Sequence, residues 1–374
     1  MNLIKMQPLT QQILSIKPNY FCVYSQFVNW GPDQRKSTHE ENFLSNKHKG
    51  ILSPHAKKRI FDAMDWLIHL SKNKQAYNFH VKKYFNFKLA MITLTLPSDQ
   101  KHSDLFIKKN LLNEFLTVIR KKYGIKNYIW KAEKTIKKNI HFHIVVDQYI
   151  YHKEINKIWN RQLSRHGYIS EYKKNQEEFH KNGFGLRHDL ISHWSEEKQK
   201  EAYAFGIKTK WESPTGTSDI HSLKKIRNAK SYLTKYITKN PDLEKAIKSE
   251  LEEYKNEKKS WLLSDEEIET CKNKAIEKMS IQGNIWYISQ SLSKIKAPQT
   301  ELTNEIQAEL EMLHEKKSEK LLQKDYYKII TIPVNDLLKY GFKAIHKIFS
   351  EFMLHLYNTF YPPDAGLQLC IPVS

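Results

Sequence analysis

The sequence predicts an α+β fold built around an antiparallel sheet of the ferredoxin-like, split βαβ type. Segments rich in β-branched and apolar residues, bounded by turn residues, predict strands, and two other segments repeat apolar residues at helical spacing. Their order along the chain is strand, helix, strand, strand, helix, strand, which is typical of a split βαβ unit. The predicted strands are 88–96, 127–133, 139–147 and 184–190, and the predicted helices are 104–122 and 155–165.

The individual elements follow from local patterns. Residues 88–96 read KLAMITLTL, a β-favouring run that stops before Pro97. The helix at 104–122 places Leu112 and Phe115 on one face. The next two strands are separated only by the polar segment 134–138, so we expect them to form a hairpin.

The segments that flank this core are predicted from weaker signals. Residues 1–50 carry several turn signals and are expected to be irregular. Ser53 and Pro54 supply the cap and the first-turn proline of a helix, and another helix is expected from about 222 to 239, before Pro241. Charged amphipathic helices are expected at 241–258, 264–280 and 300–324. The chain is therefore divided into a basic, partly helical N-terminal extension (1–84), a core domain (85–240) and a mainly α-helical C-terminal region (241–374).

The positive charge is concentrated in one part of the chain. Residues 1–240 hold 43 Lys and Arg against 20 Asp and Glu, a net charge of +23, whereas residues 241–374 hold 18 against 21, a net charge of −3. Basic side chains neutralise phosphates and aromatic faces stack on unpaired bases, so the composition favours a nucleic-acid partner. A solvated lysine surface explains the charge equally well, so the function depends on finding a site.

Hydropathy and cysteine usage narrow the setting. No run of about 18 apolar residues occurs, which argues against a membrane span, and the first residues do not have the pattern of a secretory signal. Three widely separated cysteines fit a reducing compartment better than a disulfide framework. We expect a cytoplasmic protein that does not bind a membrane.

Two histidines and a glutamate are predicted to converge on the hairpin. His141 and His143 are two residues apart on a strand and share one face, while Phe142 points into the core. Glu133 ends the preceding strand and is expected close to opposite His141, where Cβ atoms are about 4.5–5.5 Å apart. Such a trio can hold a divalent ion and leave positions open for water or phosphate oxygens. A half-exposed strand that carries two histidines by chance is the structural alternative.

A pair of tyrosines forms the second candidate site. In the run SYLTKYITK, Tyr232 and Tyr236 are four residues apart and project from the same helical face. Lys235 and Lys239 each follow a tyrosine by three residues. A nearby ammonium favours the ionised phenol, and a tyrosinate is a competent nucleophile for a phosphodiester. The structural alternative is an amphipathic helix whose tyrosines pack against the sheet.

Together the two patterns resemble the HUH endonuclease superfamily, named for two histidines separated by a hydrophobic residue. Glu133, His141 and His143 on a hairpin, followed by a helix with Tyr-x-x-Lys-Tyr-x-x-Lys, are similar to that family's motifs in their order. The strand ITLTLP at 92–97 resembles its first motif, and the middle position holds Phe142 rather than an aliphatic residue. The doubled tyrosine resembles the replication initiators of microviruses, other single-stranded DNA phages and some plasmids. The resemblance covers about residues 85–240.

The resemblance implies a metal-dependent DNA-nicking enzyme that starts rolling-circle replication. Glu133, His141 and His143 would hold Mg²⁺ or Mn²⁺, and the two nitrogen ligands favour manganese. A tyrosine would become linked to the 5′ phosphate of single-stranded origin DNA and release a free 3′ hydroxyl. Two tyrosines would allow a second cleavage and rejoining of the strand.

The resemblance also implies roles for the lysines and for host partners. Lys235 and Lys239 would stabilise charge on the phosphate or on the leaving oxygen. No G-x-x-x-x-G-K-[ST] sequence occurs, so the chain lacks the signature of a P-loop ATPase and is expected to need a host helicase as well as a polymerase, in the cytoplasm of a bacterial host.

Three alternatives stand beside this interpretation. A single-strand transposase or relaxase of the same superfamily keeps the chemistry but changes the biology. A zinc hydrolase of the metallo-β-lactamase type requires a third ligand that this His-x-His run lacks. A non-catalytic binder of single-stranded nucleic acid explains the charge and aromatics but leaves the Glu133, His141 and His143 convergence without a role.

Overall fold

The structure, a computed structural model, describes residues 10–27, 52–72, 74–78, 82–192, 194–223, 241–258, 262–316, 321–324 and 327–360. Helices and antiparallel sheets are mixed in these residues, which confirms the predicted α+β class. The chain forms two compact units: a central unit of residues 48–292, and a terminal unit that combines residues 1–47 with 293–374. Across the described ranges, no helix combines the length and the apolar character needed to cross a membrane.

All strands of the described residues pair antiparallel. They are β1 (Thr10–Lys17), β2 (Tyr20–Phe27), β3 (Lys74–Asn78), β4 (Lys83–Phe87), β5 (Leu89–Leu94), β6 (Tyr128–Lys134), β7 (Ile140–Val146), β8 (Ser218–Leu223), β9 (Trp286–Ile288), β10 (Gln299–Glu301), β11 (Leu321–Lys324) and β12 (Tyr327–Ile330).

The α-helices of the described residues fall in both units. They are α1 (Pro54–Leu70), α2 (Asp104–Ile107), α3 (Asn113–Tyr123), α4 (His152–Arg165), α5 (Tyr168–Phe179), α6 (Glu196–Lys208), α7 (Pro241–Lys258), α8 (Asp265–Lys278), α9 (Gln290–Ser293), α10 (Asn304–Lys316) and α11 (Lys343–Phe360). A π-helical turn at Lys108–Leu112 joins α2 to α3.

The central unit is built on a five-stranded antiparallel sheet with the order β8-β5-β7-β6-β9. Helices α2 and α3 connect β5 to β6, and β7 lies between those two strands. Six of the seven β7 residues are buried, and the exception is His141. Both faces of the central strand are therefore covered, except near its beginning at His141.

Packing against this sheet fixes the elements next to β7. The fully buried Trp159 of α4 donates from Nε1 to the carbonyl oxygen of Thr95 at 2.8 Å, just beyond β5. Phe115 of α3 contacts Trp159 edge-on at a centroid distance of 5.9 Å. On the face that carries the histidines, α1 packs against β6, and the guanidinium of Arg59 lies 5.6 Å from the ring of Trp286.

Most core elements agree with the sequence prediction. The strands expected at 88–96, 127–133 and 139–147 are confirmed as β5, β6 and β7, and the helices expected at 104–122 and 155–165 as α2–α3 and α4. Helices are also confirmed at 241–258 and 264–280, as α7 and α8. The helix expected at 300–324 is shorter, because only α10 is helical there and strands β10 and β11 lie at its two sides.

The strand expected at 184–190 is wrong. Side chains rather than a neighbouring strand accept from the backbone there: Gly185 N donates to His180 Nδ1 at 3.1 Å, and Arg187 N donates to Gln199 Oε1 at 2.9 Å. The segment ends in a 3-10 turn at His188–Leu190. The strand that lies beside β5 is instead β8, whose residues Ser222 and Leu223 had been expected to begin a helix.

The expectation of irregular chain over 1–50 is wrong for residues 10–27. These residues form the β1–β2 hairpin, which lies inside a five-stranded antiparallel sheet of the terminal unit with the order β10-β1-β2-β12-β11. Leu14, Ile16 and Phe21 are fully buried, and the Phe21 ring contacts that of Phe342 at 5.3 Å. The hairpin thus obtains its apolar cover from residues far along the chain. The domain boundaries expected at residues 84 and 240 stay a prediction.

Candidate metal centre

The β6–β7 hairpin sets the geometry of the candidate metal centre. Thr135 N donates to the Asn139 carbonyl at 2.8 Å, and Lys138 N donates back to the Thr135 carbonyl at 2.7 Å, which closes a tight turn. In the resulting register Glu133 lies directly opposite His141. Directly opposite residues of an antiparallel pair point to the same face, so the predicted juxtaposition is present.

Three side-chain donors from this hairpin meet at one point. His141 Nε2 lies 3.1 Å from His143 Nε2 and 3.3 Å from Glu133 Oε2, and His143 Nε2 lies 3.5 Å from the same oxygen. Within the described ranges, Glu133, His141 and His143 form the group of His, Cys, Asp or Glu side chains with the spacing of a metal site.

This donor set fits a divalent ion. Adjacent ligands of a six-coordinate ion bound at about 2.1 Å lie about 3 Å apart. The three measured separations, 3.1, 3.3 and 3.5 Å, are close to that value for every pair. Three mutually adjacent ligands occupy one face of the coordination sphere and leave the opposite face for water or phosphate oxygens. Two imidazoles and one carboxylate suit Mn²⁺ better than Mg²⁺, because Mg²⁺ prefers oxygen ligands.

A threonine from β5 orients one of the imidazoles. Thr93 is opposite His143 in the sheet, and its Oγ1 lies 3.2 Å from His143 Nδ1. In the tautomer that donates from Nδ1 to this hydroxyl, Nε2 carries the lone pair and faces Glu133 and His141. Partners of this kind fix the ring and the tautomer of metal-binding histidines.

A buried lysine completes the row across the sheet. Lys131 lies opposite His143 on β6, two residues before Glu133 and therefore on the same face. Its Nζ forms an ion pair with Glu133 Oε1, and both side chains are almost completely buried. One carboxylate oxygen of Glu133 is thus held by Lys131, while the other faces the two histidines.

The electrostatics favour the protonation states that bind a metal. Burial by itself would raise the pKa of Glu133, but hydrogen bonds with His141 and His143 and the charge of Lys131 hold the pKa well below its usual range. Burial lowers the pKa of His143, with Glu133 opposing this in part. An ionised carboxylate and a neutral imidazole are the forms that act as ligands.

A polar network anchors the open end of the hairpin. Lys134 Nζ donates to Asp104 Oδ1 at 2.7 Å, at the start of α2. Gln100 Oε1 accepts from Ile140 N at 2.7 Å, and Asn139 Oδ1 accepts from Gln100 N at 2.9 Å. These bonds tie both strands to the segment between β5 and α2, beside the residues that bear the ligands.

The predicted nucleophiles are not placed by the structure. Tyr232, Tyr236, Lys235 and Lys239 all lie outside the described residues. Their assignment stays a prediction from the sequence. Lys131, by contrast, is a site residue that sequence reasoning missed, and the signal that could have found it is the two-residue period that puts it on the face of Glu133.

Comparisons with known proteins agree with a role in DNA replication. A family model for replication-associated proteins of the ORF2 type matches residues 89–241. The matched segment begins with β5 and includes Glu133, His141, His143 and the tyrosine run. No curated protein matches the chain, and no solved structure does. The segment from β5 to residue 241 is therefore similar to replication-associated proteins.

Proposed function

We propose that this chain initiates rolling-circle replication by nicking single-stranded DNA at an origin through a tyrosine. The observation that carries the proposal is the convergence of Glu133, His141 and His143 within the segment that is similar to replication-associated proteins. A non-catalytic DNA binder would have no use for three ligands arranged in this way around one point.

The arrangement of the central sheet supports the same proposal. The order β8-β5-β7-β6, with β7 between two strands that a helical segment connects, is the order of a split βαβ unit of the ferredoxin-like type. In the HUH superfamily the paired histidines are expected on such a sheet. The match of order and of ligand position together favours an HUH nuclease core over an unrelated metal site.

A divalent ion held by Glu133, His141 and His143, as Mn²⁺ or Mg²⁺, would supply Lewis acidity toward the oxygens of a DNA phosphate. The chain's own contribution is to hold the ligands in place. Lys131 occupies the second oxygen of Glu133, and Thr93 orients His143. Both contacts leave one open side of the centre, next to the partly exposed His141.

In the proposed reaction, the phenolate oxygen of Tyr232 or Tyr236 attacks the scissile phosphorus. A new P–O bond to the tyrosine forms as the bond to the 3′ oxygen breaks, and that oxygen takes a proton to become a 3′ hydroxyl. The DNA 5′ phosphate stays on the tyrosine as a diester. Attack of a 3′ hydroxyl on this diester reverses the step and joins strands, which makes the enzyme a strand transferase as well as an endonuclease.

The remaining roles follow from the same chemistry. Lys235 and Lys239 would stabilise negative charge on the phosphate or on the leaving oxygen. The free 3′ hydroxyl would serve a host polymerase, and a host helicase would open the duplex, in the cytoplasm of a bacterial cell that carries a phage or plasmid replicon.

Trapping the covalent intermediate tests this function. The chain is incubated with Mn²⁺ and a labelled pool of random-sequence single-stranded 60-mers, and denaturing electrophoresis then detects labelled protein. We expect an adduct that needs the metal and is lost in Tyr232→Phe/Tyr236→Phe. Tyr254→Phe, on α7 outside the matched segment, serves as the control and should retain it.

The other outcomes distinguish the alternatives. An adduct that survives in the double variant would overturn the assignment of the tyrosines. DNA binding without any adduct, under conditions where the protein is folded, would favour the non-catalytic binder. Adducts formed equally well after Glu133→Gln/His143→Gln would show that the metal centre has no part in the reaction.

A further inference from the structure

A cavity of about 340 Å³ lies among the helices between α4 and β8. Its walls come from α5, α6 and the loops around them, all in residues 168–217, together with the segment that follows β5. Ring systems make up much of the lining, and six of the aromatic side chains are Tyr172, Phe179, Phe184, Trp194, Tyr203 and Phe205.

The cavity adjoins the end of the sheet where the metal ligands lie. Its lining includes Leu96 and Pro97, which follow β5, and Thr217, which precedes β8. Thr95 N donates to the Thr217 carbonyl at 2.8 Å, so both segments leave the sheet together. Leu94 is opposite Phe142, and His141 is the next residue toward that same end. A strand of DNA at the metal centre would therefore have the cavity within a few residues' length along the sheet.

The cavity is preformed rather than a gap between mobile side chains. Trp211 is buried against Gly206, where an added Cβ would lie 2.0 Å from its ring, and it stacks on His180 with an interplanar angle of 4°. Asn156 and Asn160 of α4 both donate to the Pro214 carbonyl, at 3.0 and 2.9 Å. These contacts fix the back wall and the loop that borders it.

Several aromatic rings of the lining remain open to solvent. Phe179 is 45% exposed, Phe205 44% and Trp194 38%. Burying such rings is favourable, so a cluster of exposed ones around a rigid cavity is typical of a binding site. The flat walls suit a planar ligand.

The charges around the cavity select against a phosphate in it. Residues 168–217 hold eight Lys and Arg and eight Asp and Glu, a net charge of zero within a strongly basic part of the chain. The cations at the rim already have partners: Arg187 pairs with Asp189, and Lys200 pairs with Glu196 at 2.7 Å. The occupant best suited to neutral aromatic walls is uncharged and flat.

We propose that this cavity binds an unpaired nucleobase of the DNA strand whose phosphate lies at the metal centre. The inference rests on the proposed function for the identity of the ligand, since the cavity lies beside the proposed nicking site. The base stacks against the open aromatic rings, while its sugar and phosphates stay outside near the basic surface. Base–aromatic stacking contributes about 1–3 kcal/mol per base when measured by alanine substitution.

Binding of DNA with and without bases tests this inference. A fluorescein-labelled oligothymidylate of 20 nucleotides is compared with an abasic oligomer of equal length by fluorescence anisotropy, in EDTA and at fixed salt. We expect the protein to prefer the base-bearing oligomer. In Phe179→Leu/Trp194→Leu this preference should fall at least about fivefold, with the affinity for the abasic oligomer unchanged.

The matched control is Tyr84→Leu, which removes a 71% exposed aromatic ring from β4, outside the cavity. This variant should keep the full preference. If the double variant keeps it too, or if Tyr84→Leu loses as much, the cavity is not the base site. Equal binding of the two oligomers by the unaltered protein would overturn the inference as well.

Photocrosslinking locates the contact independently of affinity. An oligothymidylate in which 5-iododeoxyuridine replaces several thymidines is irradiated on the full chain, and the modified peptides are identified by mass spectrometry. We expect crosslinks on aromatic residues within 168–217, whereas crosslinks confined to other segments would contradict the assignment. Neither measurement needs cleavage, so failure of the adduct assay with base binding intact would reject the nicking function and leave this site standing.

Discussion

The two carboxylate oxygens of Glu133 have different tasks. Oε2 faces His141 and His143, while Oε1 is held by the buried Lys131. The lysine thereby balances the carboxylate's charge and limits it to one ligand atom for a metal. At the scale of single residues, the centre therefore depends on two side chains that do not themselves belong to the ligand trio, Lys131 and Thr93.

Replacing Thr93 tests the orientation of His143. Thr93→Val removes the hydroxyl that contacts Nδ1, and we expect Mn²⁺ affinity to fall about 10-fold or more, as is usual when such partners are lost. Titration with Mn²⁺ followed by electron paramagnetic resonance measures this affinity. Thr93→Ser retains the hydroxyl and should restore most of it; an affinity equal in all three proteins would mean that the contact does not orient the ligand.

Replacing Lys131 tests its role as the counter-charge. Lys131→Met leaves the buried Glu133 carboxylate without its ion pair, and loss of one partner from a buried pair costs about 3–5 kcal/mol. Denaturant unfolding measures the change in the free energy of unfolding. Because a bound cation restores positive charge, Mn²⁺ should raise the melting temperature of this variant more than that of the unaltered protein. An equal rise in both would argue against charge balance as the role of Lys131.

At the scale of elements, the hairpin and the helical insertion are positioned by different means. Strand pairing sets the register of Glu133 against His141, whereas the aromatic cavity depends on a close contact between α6 and Trp211. Lys210 and Trp211 both have positive φ, at 51° and 58°, a conformation that costs energy for residues other than glycine. Packing of the Trp211 ring on Gly206 holds this turn in place.

A methyl group at position 206 tests that packing. Gly206→Ala places a Cβ 2.0 Å from the Trp211 ring, so the ring must move, and we expect a loss of about 1–3 kcal/mol in the free energy of unfolding. The near-ultraviolet circular dichroism of the stacked rings should change as well. Gly216→Ala, where a Cβ meets no atom within 4 Å, is the control and should leave both unchanged.

The elements that the sequence predicts well are those whose signals are local. The run ITLTLP and the His-x-His alternation specify β5 and β7 through their own side chains, and a short turn then determines the hairpin register. The segment 184–190 misleads because its backbone is satisfied by His180 and Gln199, which a strand pattern does not reveal. Lys131 was missed because a lysine in a strand usually lies at the surface, and only its ion pair explains the burial.

At the scale of the whole molecule, charge is distributed unevenly along the chain. The excess of positive charge in residues 1–240 should bind DNA through its phosphates, with release of counterions. If six phosphates are neutralised, affinity for the oligothymidylate should fall roughly 300-fold between 50 and 200 mM salt. Anisotropy titrations across this range measure the slope, and affinity that hardly changes with salt would mean that phosphate contacts are few.

The sheet of the terminal unit also has a consequence for how the protein is made. The β1–β2 hairpin ends at Phe27, whereas its neighbours β10 and β12 begin at Gln299 and Tyr327. During synthesis the hairpin leaves the ribosome long before either neighbouring strand exists, and closing so long a loop is slow. The first strands made are thus among the last to be fully paired, and a ribosome that stalls before residue 299 releases a chain with two unpaired strand edges. Such edges favour aggregation, so the full chain must be completed before its beginning is protected.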